Sequence, residues 1–111
     1  AVSLFIDPDK KQIDAAKKLG IKFIELHTGA YANAKNKAQE DKYFKQIKQA
    51  VSYGLIRKMH VFVGHGLNYS NVSRVARIKG VEELNIGHSI ISQAVFCGLN
   101  QAVRSMLALI K

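Results

Sequence analysis

The chain reads VFVGHGLNY at residues 61–69, a short apolar stretch that leads without a linker into a histidine between two glycines. Apolar stretches of this length are typical of buried parallel strands, and a Gly-X-Gly turn directly after one marks its carboxyl end. Open α/β sheets and barrels bind their ligands at the carboxyl ends of their strands. The pattern therefore predicts that His65 lies where such folds carry out chemistry.

The same construction recurs at residues 84–89, where a strand is followed by Gly87, His88 and the small residue Ser89. We expect Ser89 to be the N-cap of an apolar helix at residues 90–97. In a barrel, the loops after the last two strands and a helix N-terminus form the usual phosphate site, because backbone N–H groups point at the anion. The alternative is that the glycines only make tight turns and the histidines only satisfy buried carbonyls; two such turns in tandem favour the anion site.

The other segments extend this pattern into alternating strands and helices. Apolar runs predict strands at residues 2–6, 21–27, 60–63 and 83–86. Apolar residues at helical spacing predict helices at residues 8–19, 41–53, 72–78 and 90–97, and a last one from residue 100. Four βα units with right-handed crossovers form a parallel sheet whose carboxyl ends lie on one side. That rim then holds Glu25, His27, His65, Gly87 and His88.

Several residues predict where the helices begin, end and face. Asp7 is the predicted N-cap of the first helix, with Pro8 in its first turn and Leu19 closing an apolar stripe that includes Ile13. Gly54 is the predicted end of the second long helix, and residues 28–40 before that helix are predicted to be a loop. The apolar residues predicted to share one face of the last helix are Val103, Met106, Leu107 and Ile110.

Glu25 is unusual because it lies between Ile24 and Leu26 in the second predicted strand. A charge buried in a strand is costly unless it is paired or used. One interpretation is that Glu25 accepts hydrogen bonds from Thr28 or from a backbone amide at the loop end of the sheet. The other is that its carboxylate takes part in chemistry, and the residues alone leave both open.

Size and composition predict one compact α/β domain over residues 1–111. The chain is 48% hydrophobic with a single proline, which argues against disorder. It is well short of the about 250 residues of a complete (β/α)8 barrel. No apolar run approaches the about 20 residues that span a bilayer, and Ala1 begins no basic-then-apolar leader. We therefore expect a cytoplasmic protein with no membrane partner.

Charge and cysteine content narrow the classes of ligand. A net charge of +9 admits nucleic acid, an anionic surface or phosphorylated small molecules as partners. Most lysines alternate with the apolar stripes of predicted helices, and no strand face has the aromatic and basic pattern of single-strand binders. We expect phosphorylated small molecules and no nucleic acid. The four histidines lack the spacing of a zinc motif, so we expect no metal site. We also expect no cofactor. Cys97 is predicted to be a buried small hydrophobe.

Three stretches, FIELHTGAYANA, VGHGLNYSNV and ELNIGHSIISQAVFCGL, resemble the pyridoxine 5'-phosphate synthase family, and VSLFIDPD at the start fits the same family. The resemblance runs over the whole chain but covers only the C-terminal half of that enzyme. It implies that the four units are the C-terminal half of a TIM (β/α)8 barrel. The family is a transferase of vitamin B6 biosynthesis that condenses 3-amino-2-oxopropyl phosphate with 1-deoxy-D-xylulose 5-phosphate.

The resemblance also implies roles for single residues. The family's proton donor in its Gly-His-Gly motif matches His65, and its transition-state-stabilising glutamate matches Glu25. Residues matching Gly66, Gly87 and His88 hold the amino-ketone phosphate. The family's two proton acceptors belong to its N-terminal half, so the resemblance implies that this chain is inactive alone and pairs with that half or with a second copy as a homo-oligomer. The competing interpretation is a non-catalytic half-barrel that binds phosphorylated metabolites or self-associates.

Overall fold

The computed structural model describes residues 1–111 as alternating strands and helices. The strands are β1 Ser3–Ile6, β2 Phe23–His27, β3 His60–Gly64 and β4 Val81–Asn85. The helices are α1 Lys10–Lys18, α2 Gly29–Ala32, α3 Lys37–Ile56, α4 Val72–Ala76, α5 His88–Cys97 and α6 Leu99–Ile110. The strands form one sheet in the order β1-β2-β3-β4, and every neighbouring pair is parallel. The predicted parallel α/β arrangement is confirmed, while closure into a barrel stays a prediction.

The two faces of the sheet are chemically different, because side chains alternate along each strand. On one face Ile24 lies beside Val61, and both are fully buried in the core formed with the helices. On the other face one row across the sheet joins Phe5, Glu25 and Phe62. No helix covers this second face, and Phe5 is 54% exposed there. The sheet therefore has one packed face and one open face.

The open face mixes aromatic rings with polar groups. Phe23 stacks on His60 with ring centroids 4.8 Å apart, and Phe5 stacks on His27 at 5.0 Å. The Nδ1 atom of His60 lies 2.9 Å from a carboxylate oxygen of Glu82. The outermost strands β1 and β4 each have one neighbour only. None of the helices is long and apolar enough to span a membrane.

The start of α1 differs from the prediction because its cap lies further along the chain. The carboxylate of Asp9, not that of Asp7, caps the helix by accepting the Lys11 N–H at 3.2 Å. Pro8 consequently precedes the helix rather than forming its first turn. Leu19 is the C-cap residue and is 73% exposed, so it does not continue the buried stripe.

The long helix α3 begins earlier and ends later than predicted. Asn36 is its N-cap and accepts the Gln39 N–H at 2.9 Å, and Arg57 is its C-cap. Gly54 was predicted to end the helix, but it lies inside it and faces the sheet. A Cβ atom at Gly54 would lie only 2.9 Å from a methyl group of Val61, so the glycine allows close packing of helix on strand. The segment predicted to be a loop also contains the short helix α2.

The last two helices leave more apolar surface exposed than predicted. No residue of α5 is buried, and the Cys97 thiol, predicted to be buried, is exposed. In α6 the buried residues are Ala102 and Met106, whereas Val103 and Leu107 are exposed. The residues predicted to share one face of the last helix, Val103, Met106, Leu107 and Ile110, all lie in α6 at the spacing of one helix face, but Met106 alone among them is buried.

Candidate active site

All the residues singled out as site candidates line one cleft of about 490 Å³ at the carboxyl ends of the strands. These residues are Glu25, His65, Gly66, Gly87 and His88. They come from β2 and from the turns that follow β3 and β4, which are neighbours in the sheet. Because parallel strands place their carboxyl ends on the same side, residues distant in the sequence meet there.

The backbone of the turn after β3 is held in an unusual conformation. His65 has φ of 86° and Gly66 has φ of 79°, so two consecutive residues are in the left-handed region. For a residue with a side chain this costs about 1–3 kcal/mol and is found where surrounding structure enforces it. Here the fully buried Thr28 enforces this backbone conformation, because its N–H donates to the Gly64 carbonyl at 2.8 Å. Its hydroxyl lies 2.7 Å from the carbonyl oxygens of both Gly64 and His65.

Aromatic stacking holds the ring of His65. The centroids of the His65 and His27 rings are 4.5 Å apart, with an interplanar angle of 29°. The other side of His27 stacks on Phe5. The Nδ1 atom of His27 accepts the Gly29 N–H at 3.0 Å. Since the His65 residue is exposed and lines the cleft, its imidazole is held on one side and accessible on the other.

Glu25 lies on the open face with its carboxylate over β3. A Cβ atom at Gly64 would collide with Oε1 of Glu25, so the glycine leaves the space that the carboxylate occupies. The expected hydrogen bond from Thr28 to Glu25 is not formed, because the Thr28 hydroxyl faces the carbonyls of the next strand. Glu25 is half-buried and lines the cleft, which leaves its carboxylate available to a ligand.

The turn after β4 is open where the turn after β3 is tight. Gly87 has φ of −127°, which any residue adopts, and a Cβ atom there would meet no atom within 4 Å. Gly87 is the N-cap of α5, and no side chain caps that helix end. Ser89, predicted to be the cap, lies in the first turn, and its hydroxyl donates to the Leu67 carbonyl at 2.9 Å. The first N–H groups of the helix therefore have no side-chain acceptor, and such groups bind anions.

Two tyrosines fix the segment that joins β3 to α4. The hydroxyl of Tyr31 donates to the Asn71 carbonyl, and that of Tyr69 donates to the Ala102 carbonyl, both at 2.7 Å. Burial raises the pKa of each phenol above its usual value. Both hydroxyls therefore keep their protons at neutral pH and remain donors, so two hydrogen bonds anchor the end of this segment that leads into α4.

Sequence reasoning did not single out two polar residues of the cleft, Asn68 and Asn85. Asn68 has a structural role, because its side-chain oxygen accepts the N–H groups of Ser70 and Asn71. Asn85 ends β4 and lies in register with Gly64 on the open face. Because side chains alternate between the two faces along β4, the position of Asn85 at the end of that strand is the sequence signal that could have placed it on the open face. No group of three or more His, Cys, Asp or Glu side chains is arranged to hold a metal ion.

Comparison with known proteins gives one consistent result. The family model described as pyridoxal phosphate biosynthesis protein PdxJ matches residues 1–111. Curated proteins named pyridoxine 5'-phosphate synthase are similar to the chain: one from Sulfurihydrogenibium sp. is 55% identical over 109 residues, covering 98% of this chain and 44% of that protein. Another, from Geobacter metallireducens, is 50% identical over 111 residues, covering 100% and 46%. The chain thus spans about half the length of the curated relatives it matches.

Proposed function

Because this chain belongs to the family of pyridoxal phosphate biosynthesis protein PdxJ, we propose that it supplies part of the active site of a pyridoxine 5'-phosphate synthase. The proposed reaction condenses 3-amino-2-oxopropyl phosphate with 1-deoxy-D-xylulose 5-phosphate and releases phosphate and water. The observation that carries the proposal is that Glu25, His65 and the turn at Gly87 line one cleft. No metal or cofactor is assigned to this reaction.

His65 is the proposed proton donor. Condensation of an amine with a ketone expels the ketone oxygen as water, so a group must protonate that oxygen as it leaves. Imidazole is the side chain that exchanges protons near neutral pH. The exposed, stacked ring of His65 satisfies the geometric requirement of reaching a ligand in the cleft while staying in a fixed place.

Glu25 is proposed to stabilise positive charge in the transition state. When the amine attacks and water leaves, positive charge develops on the nitrogen as the carbon–nitrogen double bond forms. A carboxylate aimed at that nitrogen in a cleft with restricted water lowers the energy of the charged state. The open space over Gly64, which Glu25 occupies, supports this placement.

Gly66, Gly87 and His88 are proposed to hold the phosphate of the amino-ketone. The uncapped start of α5 provides unpaired N–H groups, and the positive end of a helix dipole favours an anion. A Cβ atom at Gly87 would meet no protein atom within 4 Å, and this open space leaves room for a ligand to approach the backbone N–H groups. His88 is exposed in the same turn and adds a donor to the phosphate.

The open face and the two edge strands are proposed to be covered by another half-barrel, either the N-terminal half of the family's barrel or a second copy. An unpaired parallel strand and an exposed aromatic face are unstable in water unless they are covered. We propose that the assembly is a homo-oligomer. We also place it in the cytoplasm, because doubly charged phosphate esters cross apolar barriers poorly.

The proposal is tested by incubating both substrates with the complete protein that carries this sequence and, separately, with the 111-residue chain. Product is expected from the complete protein only, since the family's proton acceptors belong to its N-terminal half. Sedimentation of the chain alone is expected to give a dimer or larger species. Product from the chain alone would contradict the shared active site, and a complete protein that binds phosphate esters without turnover would favour the non-catalytic alternative.

A further inference from the structure

We propose that His27 is a positioning residue for His65, which it holds by ring stacking in the orientation needed for proton transfer. The inference rests on the proposed function, because it assumes that His65 delivers a proton to the substrate. His27 itself does not line the cleft. Its effect on the reaction therefore passes through the ring of His65.

The sheet brings the two rings together from adjacent strands. His27 is the last residue of β2 and lies in register with Gly64, the residue directly before His65. The His27 ring lies between those of Phe5 and His65, at centroid distances of 5.0 and 4.5 Å. These distances are in the range of favourable stacked aromatic pairs. His27 is thus the middle ring of a three-ring stack.

A backbone hydrogen bond fixes the plane of the middle ring. The Gly29 N–H donates to Nδ1 of His27 at 3.0 Å, so Nδ1 carries no proton in this arrangement and the neutral ring bears its proton on Nε2. A Cβ atom at Gly29 would collide with Cε1 of His27 and lie 3.2 Å from Cδ2 of His65. The absence of a side chain at Gly29 therefore leaves the space that both imidazoles occupy.

An exposed proton donor needs such a support. His65 lies on a turn whose backbone is fixed by Thr28, but its side chain still has two rotatable bonds. A general acid has to come within about 3 Å of the oxygen that it protonates. A misplacement of about 1 Å in a catalytic arrangement costs about 10²-fold in rate. The flat face of His27 restricts the rotation of the His65 ring without occupying the cleft.

The experiment compares three variants of the complete protein. His27→Gln keeps an acceptor for the Gly29 N–H but removes the ring, and His27→Phe keeps a flat ring but removes the acceptor. His60→Gln is the matched control, because His60 also stacks on a phenylalanine of the open face but lies at the opposite ends of the strands from the cleft. Thermal unfolding of each variant checks that it is folded. For each we would measure kcat, KM for both substrates, and the ring signals of histidine by NMR.

We expect His27→Gln to lower kcat by roughly 10- to 100-fold with little change in either KM. His27→Phe should keep more activity than His27→Gln, and His60→Gln should match the unmodified protein. The NMR signal of His65, identified by its loss in His65→Gln, should move in His27→Gln because the ring current of His27 disappears.

An unchanged His65 signal in His27→Gln, or an unchanged kcat, would overturn the positioning role. Equal losses of kcat in His27→Gln and His60→Gln would also overturn it, because they would indicate a general structural effect. Failure of the proposed function has a different signature: the unmodified protein makes no product, while the NMR signal of His65 still reports whether His27 orients its ring.

Discussion

The turn after β3 and the turn after β4 both place a histidine after a glycine, but only the first holds its histidine in the left-handed region of the backbone. His65 is fixed by hydrogen bonds from Thr28 and by a ring stack. His88 begins a helix in ordinary geometry, and the glycine before it has no neighbour that a side chain would meet. The same dipeptide thus gives one rigid turn and one open turn.

This difference leads to the hypothesis of a division of labour, in which the turn after β3 serves the chemical step and the turn after β4 serves substrate binding. A proton donor has to be held in place, and the strain at His65 is the kind of feature that surrounding structure enforces where function requires it. A phosphate cradle needs accessible N–H groups and empty space, and the start of α5 offers both. The following predictions test whether the rigid turn governs the chemical step and the open turn governs binding.

The largest effect is expected from the two histidines. In the complete protein, His65→Ala should lower kcat by roughly 10²-fold or more, the usual scale for loss of a general acid. His88→Ala should instead raise KM for 3-amino-2-oxopropyl phosphate and have the smaller effect on kcat. Steady-state kinetics with both substrates measures the contrast. Equal effects of the two substitutions on kcat would remove the distinction between the turns.

The two glycines should differ in their contribution to stability. Gly66→Ala puts a side chain at φ of 79° and within 2.6 Å of the Ala32 Cβ, so it should lower the free energy of unfolding by about 1–3 kcal/mol. Gly87→Ala meets no atom within 4 Å and should stay within about 0.5 kcal/mol of the unmodified protein. Urea unfolding of both variants measures the difference, and a destabilised Gly87→Ala would show that its turn is not open.

The smallest effect is expected far from both turns, at Asp14. The hydrogen bond from Tyr53, and then that from Arg57, holds the pKa of Asp14 below its usual 3.8. Because the pKa is lower in the folded state, the stabilisation is present above pH 3.8 and is lost as the pH falls through the folded value. Asp14→Asn should therefore be slightly less stable than the unmodified protein at neutral pH, and this difference should shrink in acid. Its turnover should be unchanged.

Much of the fold follows from local patterns. The strands were predicted to within two residues at each end, and the parallel order follows from the alternation of strands and helices. Helix ends were less predictable, since an aspartate is a good cap at either position 7 or position 9, and the helix begins after Asp9. The Gly54 signal was misleading, because a glycine can serve close packing inside a helix as well as ending one.

The sequence predicted which candidate residues lie together in one cleft, but not the geometry of the turns that carry them, and the roles of these residues stay predictions. Glycine-histidine turns after consecutive parallel strands predict that His65 and His88 share a rim, and both line the cleft. The left-handed φ of His65 and the hydroxyl contacts of Thr28 depend on how β2 and β3 align, which no local pattern encodes. The exposure of Cys97 depends on what covers α5, which is likewise a property of the assembly and not of the helix sequence.

The most direct test of the division of labour is equilibrium binding of 3-amino-2-oxopropyl phosphate to the complete protein, measured by calorimetry for Gly87→Val and His65→Ala. A valine at Gly87 fills the space through which the anion approaches the start of α5, so we expect the dissociation constant to rise about 10-fold, a loss of about 1.4 kcal/mol. His65→Ala should bind with nearly unchanged affinity although its turnover is lost. Unchanged binding by Gly87→Val, or an equal loss of affinity in both variants, would contradict the account.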